Sequence, residues 1–560
     1  METEGSEGCN LDVIEAQRTG KRGGWITFPF ISGSTLGLGL AISGAGSNLI
    51  VYLIREYNVK SIDAAQISNI INGCINLAPV AGAIVSDAYF GCYPVVAFSS
   101  AASFLSLVLF TLTAALPSLR PSPCSAFGSC ESASPGQFAA LYGAVFLMAI
   151  ATGGTRFTMA TMGANQFDRP QERDIFFNWY FILLYGSSIL GATVIVYVQD
   201  TVSWALGFGL STVGSAVGVV VLLLGGRYYK LPAAQGSPFV GLARVVVAAV
   251  RKSYIDMTSP EQLNYYTGAV EIYSLSTRGA PSQSFSILNR AAVITDGDTH
   301  PDGTVARPWH LCSTQEVSDL KSLLRILPLW SSSIFLSISI GIQGSLTVLQ
   351  ALTVDRHLGP HFILPAGSLI VSSFSAVVLS LFLLDRLLIP LYHALTRHTP
   401  TPLQRIGVGH VLNAASMVAS ALVERRRESI ARSSPHVTGA VVPMSVLWLV
   451  MTLAVSGVGE AFQFPGQVAF YYQEFPESLR STATGMIALI VSLGFYLSTA
   501  VIGLVRRATT WLPDDINESR LENVYWMLVV VGGINFGYYV LCSKLYKYRT
   551  ATDKVQTAPD

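Results

Sequence analysis

Apolar residues along this chain fall into runs long enough to cross a bilayer, separated by shorter polar connections. A membrane helix needs roughly 20 mostly apolar residues. Runs of that kind lie near 27–54, 66–90, 94–117, 136–160, 175–198 and 204–225. A polar stretch over 227–318 interrupts the series, and six more runs follow near 322–352, 364–390, 404–423, 442–463, 480–504 and 523–543. The pattern predicts an all-α membrane protein with 12 transmembrane helices in two six-helix halves around a midplane site. The expected division is a terminal segment 1–26, a first bundle 27–226, a linker 227–318, a second bundle 319–543 and a tail 544–560. Within the linker, Pro238–Lys252 has apolar residues at helical spacing, with Arg244, Arg251 and Lys252 on the flank. That spacing predicts an amphipathic helix that lies on the membrane face or bridges the halves, with an ordinary linker helix as the equal alternative.

Composition narrows the classes further. Of 560 residues, 51% are hydrophobic and 12% charged, against about 25% charged in a soluble domain. Disorder and a nucleic-acid-binding tail are excluded on the same ground. A net charge of +1 implies no bulk electrostatic partner, and seven cysteines make no disulfide framework. The polar first residues lack the apolar core of a signal peptide. No HExxH, Cys/His metal spacing or Walker loop is present, so neither metal, cofactor, ATP nor an enzyme is expected. The glycines of GLGLAISGAG follow no strand and read as helix-packing positions.

Lys and Arg placement puts both termini, the linker and the even-numbered turns on one side, which the positive-inside rule makes the cytosol. Arg425, Arg426, Arg427 and Arg432 break the rule, because they follow the ninth run and fall outside. The sequon at Asn517 and the pair Cys124 and Cys130, a candidate disulfide, fall on the same outer side.

A charge at bilayer depth costs several kcal/mol unless paired or hydrated, so each one is a functional candidate. Arg156 lies in the fourth run, after Gly153 and Gly154, where a neighbouring helix can approach closely. Its forked, permanently charged guanidinium suits a planar oxyanion. Glu460, in the tenth run, is the expected partner. A carboxylate that leaves an arginine for an apolar setting gains a proton, so the pair reads as a coupling and gating device. Asp87, Arg325 and Asp385 sit at run ends and read as gate or interface charges.

Several strings together are more specific: GAIVSDAYFG, FFNWYFILLYGSSILGATVIVYVQD, QSFSILNRAA, DRHLGPHFILPAGS, TPLQRIGVGH, GVGEAFQFPGQVAFYYQEFPESLRSTATGM and LPDDINESRLENVYW. Over about residues 22–547 the chain resembles the plant nitrate/peptide transporter family of the proton-dependent oligopeptide transporter superfamily, nearest its nitrate excretion branch. The resemblance implies a major-facilitator fold, alternating access and a plasma-membrane location, with the vacuolar membrane as the alternative. It also implies a small substrate: nitrate, chloride, peptide, hormone or glucosinolate, usually moved with protons. The cationic position of the family's fourth span is kept as Arg156 and the acidic position of its tenth as Glu460. Its first-span Glu-x-x-Glu-Arg/Lys motif is lost, with Thr35, Leu38 and Gly39 in those places, and Gly91-Cys92 stands for Gly-Arg. The seventh run has no His between Arg325 and Asp355. With one clear carboxylate left for protons, the expectation is nitrate or chloride transport of the efflux or low-affinity kind. A larger organic anion is the alternative.

Overall fold

The computed structural model describes residues 23–122, 131–231, 238–255, 264–267, 284–300, 304–433, 441–475, 482–513 and 516–546. Among these residues, 12 helices are long and apolar enough to cross a membrane. The first six spans are Gly24–Ser47, Ser61–Phe90, Cys92–Ala115, Pro135–Ala164, Ile175–Thr201 and Trp204–Gly225. The last six are Thr314–Ala351, Ala366–Thr396, Pro402–Ser433, Leu447–Glu474, Gly485–Ala508 and Leu521–Leu545. With an even number of crossings, the described ends of the chain share one end of the bundle. Cys124 and Cys130 lie outside the described residues.

Small residues set the helix contacts, as expected where lipid removes the hydrophobic drive between helices. The fourth span passes the second so closely that a Cβ at Gly82 would lie 2.1 Å from the Gly153 carbonyl oxygen. On the other side of the fourth span, a Cβ at Gly154 would lie 1.9 Å from Ser99 Oγ. The ninth and tenth spans cross in the same way, with Gly409 against Gln463 and Gly459 against Asn413. The second and eleventh spans pack along each other and carry much of the contact between the halves.

All hydrogen bonds and ion pairs found between the halves, among the described residues, lie on one side of Gly73 and Cys74. Ser492 Oγ donates to Gly73 O (2.8 Å), Tyr496 Oη to Cys74 Sγ (3.1 Å) and Asn69 Nδ2 to Ser345 Oγ (3.3 Å). Further from the termini, Gln66 bonds Thr499 and Arg506 pairs with Asp63. At the far end Arg356 reaches Asp200 (3.2 Å), which also takes Arg55, and Tyr197 stacks on Phe362. Among the described residues, the polar contacts between the halves are thus gathered at the end remote from the termini.

Two features depart from the apolar pattern. The ninth helix does not stop at 423 but runs to Ser433. Two of the arginines beyond the apolar run, Arg427 and Arg432, are neutralised locally by carboxylates. Arg427, fully buried, forms a two-pronged pair with buried Glu424 and also donates to Thr353, Asn517 and the Ile516 carbonyl. Arg432 pairs with Glu428 and Arg426 lies over Trp448. These charges thus carry little of the free positive charge that the orientation rule counts. Asn517 spends its side-chain oxygen on Arg427, and Ser519 is buried and bonded to Ile516 O (2.6 Å), so the sequon is part of this packing.

The linker helix spans Pro238–Arg251. Its apolar face is not free for lipid. Val245, Ala248 and Ala249 pack on Ala291, Ala292 and Val317, fixing the helix to the base of the seventh span. Next to it, Lys252 Nζ donates to Asp298 (2.6 Å) in a buried pair. Burial by itself would raise the Asp298 pKa, but the Lys252 ammonium and Thr295 hold it below the usual carboxylate range. Its contribution is therefore complete at neutral pH and is lost only as pH falls through that lowered value.

Removing one member of a buried pair leaves the other desolvated and alone. Arg427→Ala is expected to lower stability by about 3–5 kcal/mol, read as a fall in the thermal unfolding midpoint of purified protein. Arg425→Ala, on the exposed side of the same helix, is the comparison and is expected to leave it unchanged.

Candidate functional site

The fourth span breaks at its charge. One helical segment runs Pro135–Thr155, the next Thr158–Ala164, and Arg156 caps the first. Its amide still bonds Thr152 O, and its carbonyl accepts from Tyr180 Oη of the fifth span (3.4 Å). The guanidinium is exposed although the residue lies mid-span. That exposure is to the opening between the halves and not to lipid, because Tyr185 lies within electrostatic reach of both Arg156 and Glu460 in the other half.

The partner that orients Arg156 is neutral. Its Nη1 donates to Asn76 Oδ1 (2.8 Å), and Asn76 Nδ2 in turn donates to Asn72 O (2.8 Å). No carboxylate lies within ion-pair distance among the described residues. The full positive charge is therefore held in place without being cancelled. Asn76 lies just on the terminal side of Gly73, where the hydrogen bonds found between the halves end among the described residues.

Glu460 is half-buried on the tenth span. It accepts from Ser373 Oγ of the eighth span (3.4 Å), and Ser456, one turn earlier, also bonds it. The expected direct pair with Arg156 is not formed. The two charges sit on opposite halves, each tied to neutral partners of its own half. Pro79 and Pro465 stand near them within their helices. Each proline removes one helix hydrogen bond, which frees the carbonyls of Ile75 and Ala461, the neighbours of Asn76 and Glu460.

The three first-span positions singled out in the sequence, Thr35, Leu38 and Gly39, are packed shut. Thr35 is buried, with its hydroxyl on Ile31 O (2.8 Å) and Met159 Sδ (3.4 Å). Leu38 is buried against Gly218, and a Cβ at Gly39 would fall 2.2 Å from Ser187 Oγ of the fifth span. The first span thus meets the fourth, fifth and sixth spans here and adds no charge to the opening.

The remaining candidates lie elsewhere. Asp87 is half-buried in a π-helical turn, Ser86–Phe90, at the terminal end of the second span, with no ion pair among the described residues. Arg325 is exposed and donates to Ser284 of the linker (3.4 Å). Asp385 is exposed beside Arg386 (3.8 Å). A pocket of about 240 Å³, lined among others by Cys92, Tyr93, Asn165 and Lys230, also lies at the terminal end of the first half and shares no residue with the surroundings of Arg156. Sequence reasoning missed Asn76, Tyr180 and Tyr185. Asn69, Asn72 and Asn76 repeat at helical spacing inside an apolar run, and that stripe was the available signal.

Comparison with known proteins follows this geometry. Residues 93–524 match the model of the POT family. "Protein NRT1/ PTR FAMILY 2.7" of Arabidopsis thaliana is 48% identical over 97% of this chain and 96% of that protein. "Protein NRT1/ PTR FAMILY 2.3" of the same plant is 48% identical over 97% of both chains. Among solved structures, an auto-inhibited POT family peptide transporter superposes with a TM-score of 0.68 at 16% identity, covering 93% of this chain and 97% of that one. A POT family transporter in complex with 5-aminolevulinic acid gives 0.63 at 10% identity, covering 93% and 96%. These structures share the major-facilitator fold.

The packed first-span seam makes a prediction. Restoring a cation with Gly39→Lys is expected to force the first and fifth spans apart, at an overpacking cost of about 1–3 kcal/mol. The thermal midpoint should fall with no gain in proton-driven transport. An unchanged midpoint would mean that the seam yields freely and that the glycine is not needed for packing.

Proposed function

This chain belongs to the POT family, and we propose that it moves nitrate, with chloride as the competing ion, by alternating access between the two halves. The observation that carries the proposal is Arg156: exposed in the opening, fixed in direction by Asn76 and neutralised by no carboxylate. A guanidinium held by a neutral amide keeps its attraction for an anion, and its planar fork matches a planar oxyanion. A low-dielectric wall around it focuses that attraction.

The first-span seam supports the same reading. A zwitterionic peptide needs acids for its amino end, and Thr35, Leu38 and Gly39 present none to the opening. Among the described residues, Glu460 is the carboxylate that shares Tyr185 as a neighbour with Arg156. When the terminal end closes, the halves carry these two groups towards each other, so anion release and carboxylate charge become linked. In this reading both termini are cytosolic, the present conformation opens inward, and the membrane is the plasma membrane.

Direction follows from charge balance. An inside-negative potential of about 100 mV pushes each anion outward by about 2.3 kcal/mol, roughly fifty-fold in concentration. Efflux needs no proton. Uptake needs about two protons per nitrate to carry net positive charge inward, which one carboxylate serves poorly. The reading is therefore efflux or low-affinity transport.

The test is labelled-nitrate flux in proteoliposomes with membrane potential and pH gradient set independently. Flux that follows voltage is the expected result; flux of a hormone-sized anion with none of nitrate would transfer the assignment to a larger organic anion. Arg156→Ala is expected to cut nitrate flux at least about a hundred-fold, since a charge-assisted contact at the reaction centre is lost, while detergent-extracted protein keeps its elution profile. Glu460→Gln should leave nitrate binding in place and flatten the pH dependence of flux; an unaltered pH profile would make Glu460 a structural residue.

A further inference from the structure

The seam that joins the two halves is built from groups that suit an anion. Gln66, Asn69, Gly73 and Asn76 recur every three or four residues, so they lie along one side of the second span. At 1.5 Å of rise per residue, that stripe runs about 15 Å from Asn76 to Gln66. At one end Asn76 holds Arg156 (2.8 Å). The other members meet the second half. Asn69, 1% exposed, donates through Nδ2 to Ser345 Oγ of the seventh span (3.3 Å). Gln66 donates through Nε2 to the Thr499 carbonyl of the eleventh span (3.3 Å), and Thr499 Oγ1 donates back to the Gln66 carbonyl (3.3 Å). Between them, Ser492 and Tyr496 donate to Gly73 O and Cys74 Sγ.

Gln66, Asn69, Ser492, Tyr496 and Thr499 thus bridge the divide, and each does so by donating from a neutral amide or hydroxyl. No charged residue occurs over 64–76 of the second span, 326–351 of the seventh or 486–505 of the eleventh. The first charge beyond Gln66 is Asp63, one turn further on the same stripe, and Arg506 of the other half cancels it. Apolar packing would hold two halves together without burying any of these polar groups. When the halves part at this end, the donors lose their partners together and line the gap. Oriented N–H and O–H groups with no carboxylate among them favour a negative charge.

We propose that this seam, once opened, is the route of a monovalent inorganic anion between Arg156 and the side remote from the termini, with Asn69 and Gln66 as its successive stations. The same N–H groups close the molecule in one state and replace the anion's water in the other. Asn69 lies about 10 Å of helix rise from Asn76, and Gln66 about 5 Å further, so the anion is passed on in short steps. Neutral donors hold a single charge loosely, so it moves on. They compensate a divalent anion poorly, because desolvation costs more as charge grows. The route rests on the alternating-access reading, whereas opening of the seam to an anion does not depend on which anion is carried.

Asn69→Asp keeps the size of the side chain and can still accept from Ser345, so the seal retains a hydrogen bond while a carboxylate stands on the route. Voltage-driven nitrate flux in proteoliposomes is expected to fall at least about ten-fold by like-charge repulsion. Nitrate-induced thermal stabilisation of the purified protein should change less than about two-fold, because Arg156 is untouched. Relative to wild type, the block should lift as pH is lowered from about 8 to about 5 and the new, buried carboxyl takes a proton. Gln66→Glu, at the less buried station, is expected to behave alike and decides alone should Asn69→Asp fail to fold. Full flux in both variants would overturn the route, as would a loss that low pH does not lift. A second measurement needs no known substrate. In intact cells expressing the full chain, Asn69→Cys is labelled from outside with an anionic and a cationic methanethiosulfonate, each rate divided by its rate with a free thiol. Above the wild-type background, the anionic reagent is expected to react at least about ten-fold faster. Equal rates, or no labelling, would overturn the proposal whatever the substrate. Anionic bias in a protein that moves no nitrate would sink the nitrate reading and leave the route standing for another anion.

Discussion

A charge placed inside a membrane protein must be compensated, and the kind of compensation decides what the charge can do. At the closed end this protein compensates with opposite charge: Arg356 and Arg55 on Asp200, Arg427 on Glu424. At the centre it compensates with dipoles: Arg156 on Asn76, Glu460 on Ser373. An ion pair is satisfied and holds helices together. A charge oriented by a neutral amide or hydroxyl stays available to a ligand. The division between closure and function in this molecule follows that difference in partner.

Close helix packing is the second constraint, and it acts on the same charges. Gly82 against Gly153 and Gly154 against Ser99 draw the second and third spans onto the fourth, just before it breaks at Arg156. The first span uses Gly39 and Leu38 to close on its neighbours, and so brings no charge to the opening at these positions. The two features belong together, because a lysine-sized side chain and a glycine seam cannot occupy one place. Among the described residues, the first half thereby contributes Arg156 as a mid-span cation with no carboxylate partner. The second half contributes Glu460, held by the hydroxyls of Ser373 and Ser456.

Much of the architecture was legible in sequence. Twelve apolar runs became twelve helices, and the linker helix began at Pro238 as its spacing implied. Capping boxes at Ser134 and Ser313 explain two starts, the second of which sets the seventh span eight residues before the apolar run near 322. The end of the ninth span was misjudged because a hydropathy window treats Arg427 as solvent-exposed, whereas Glu424 and Asn517 take it into the core. The linker helix shows the same limit: its apolar face was visible, but its occupant, the base of the seventh span, was not.

Hydropathy and residue type are properties of single positions and their near neighbours. They therefore determined the fold class, the spans and the two intramembrane charges at Arg156 and Glu460. Whether those charges touch is a property of two helices far apart in sequence. Arg156 and Glu460 looked like a pair in one dimension. The tertiary structure gave Arg156 to Asn76 and Glu460 to Ser373, because each helix packs first with its own half. Distance across a gap is set by packing, and no pattern along the chain encodes it.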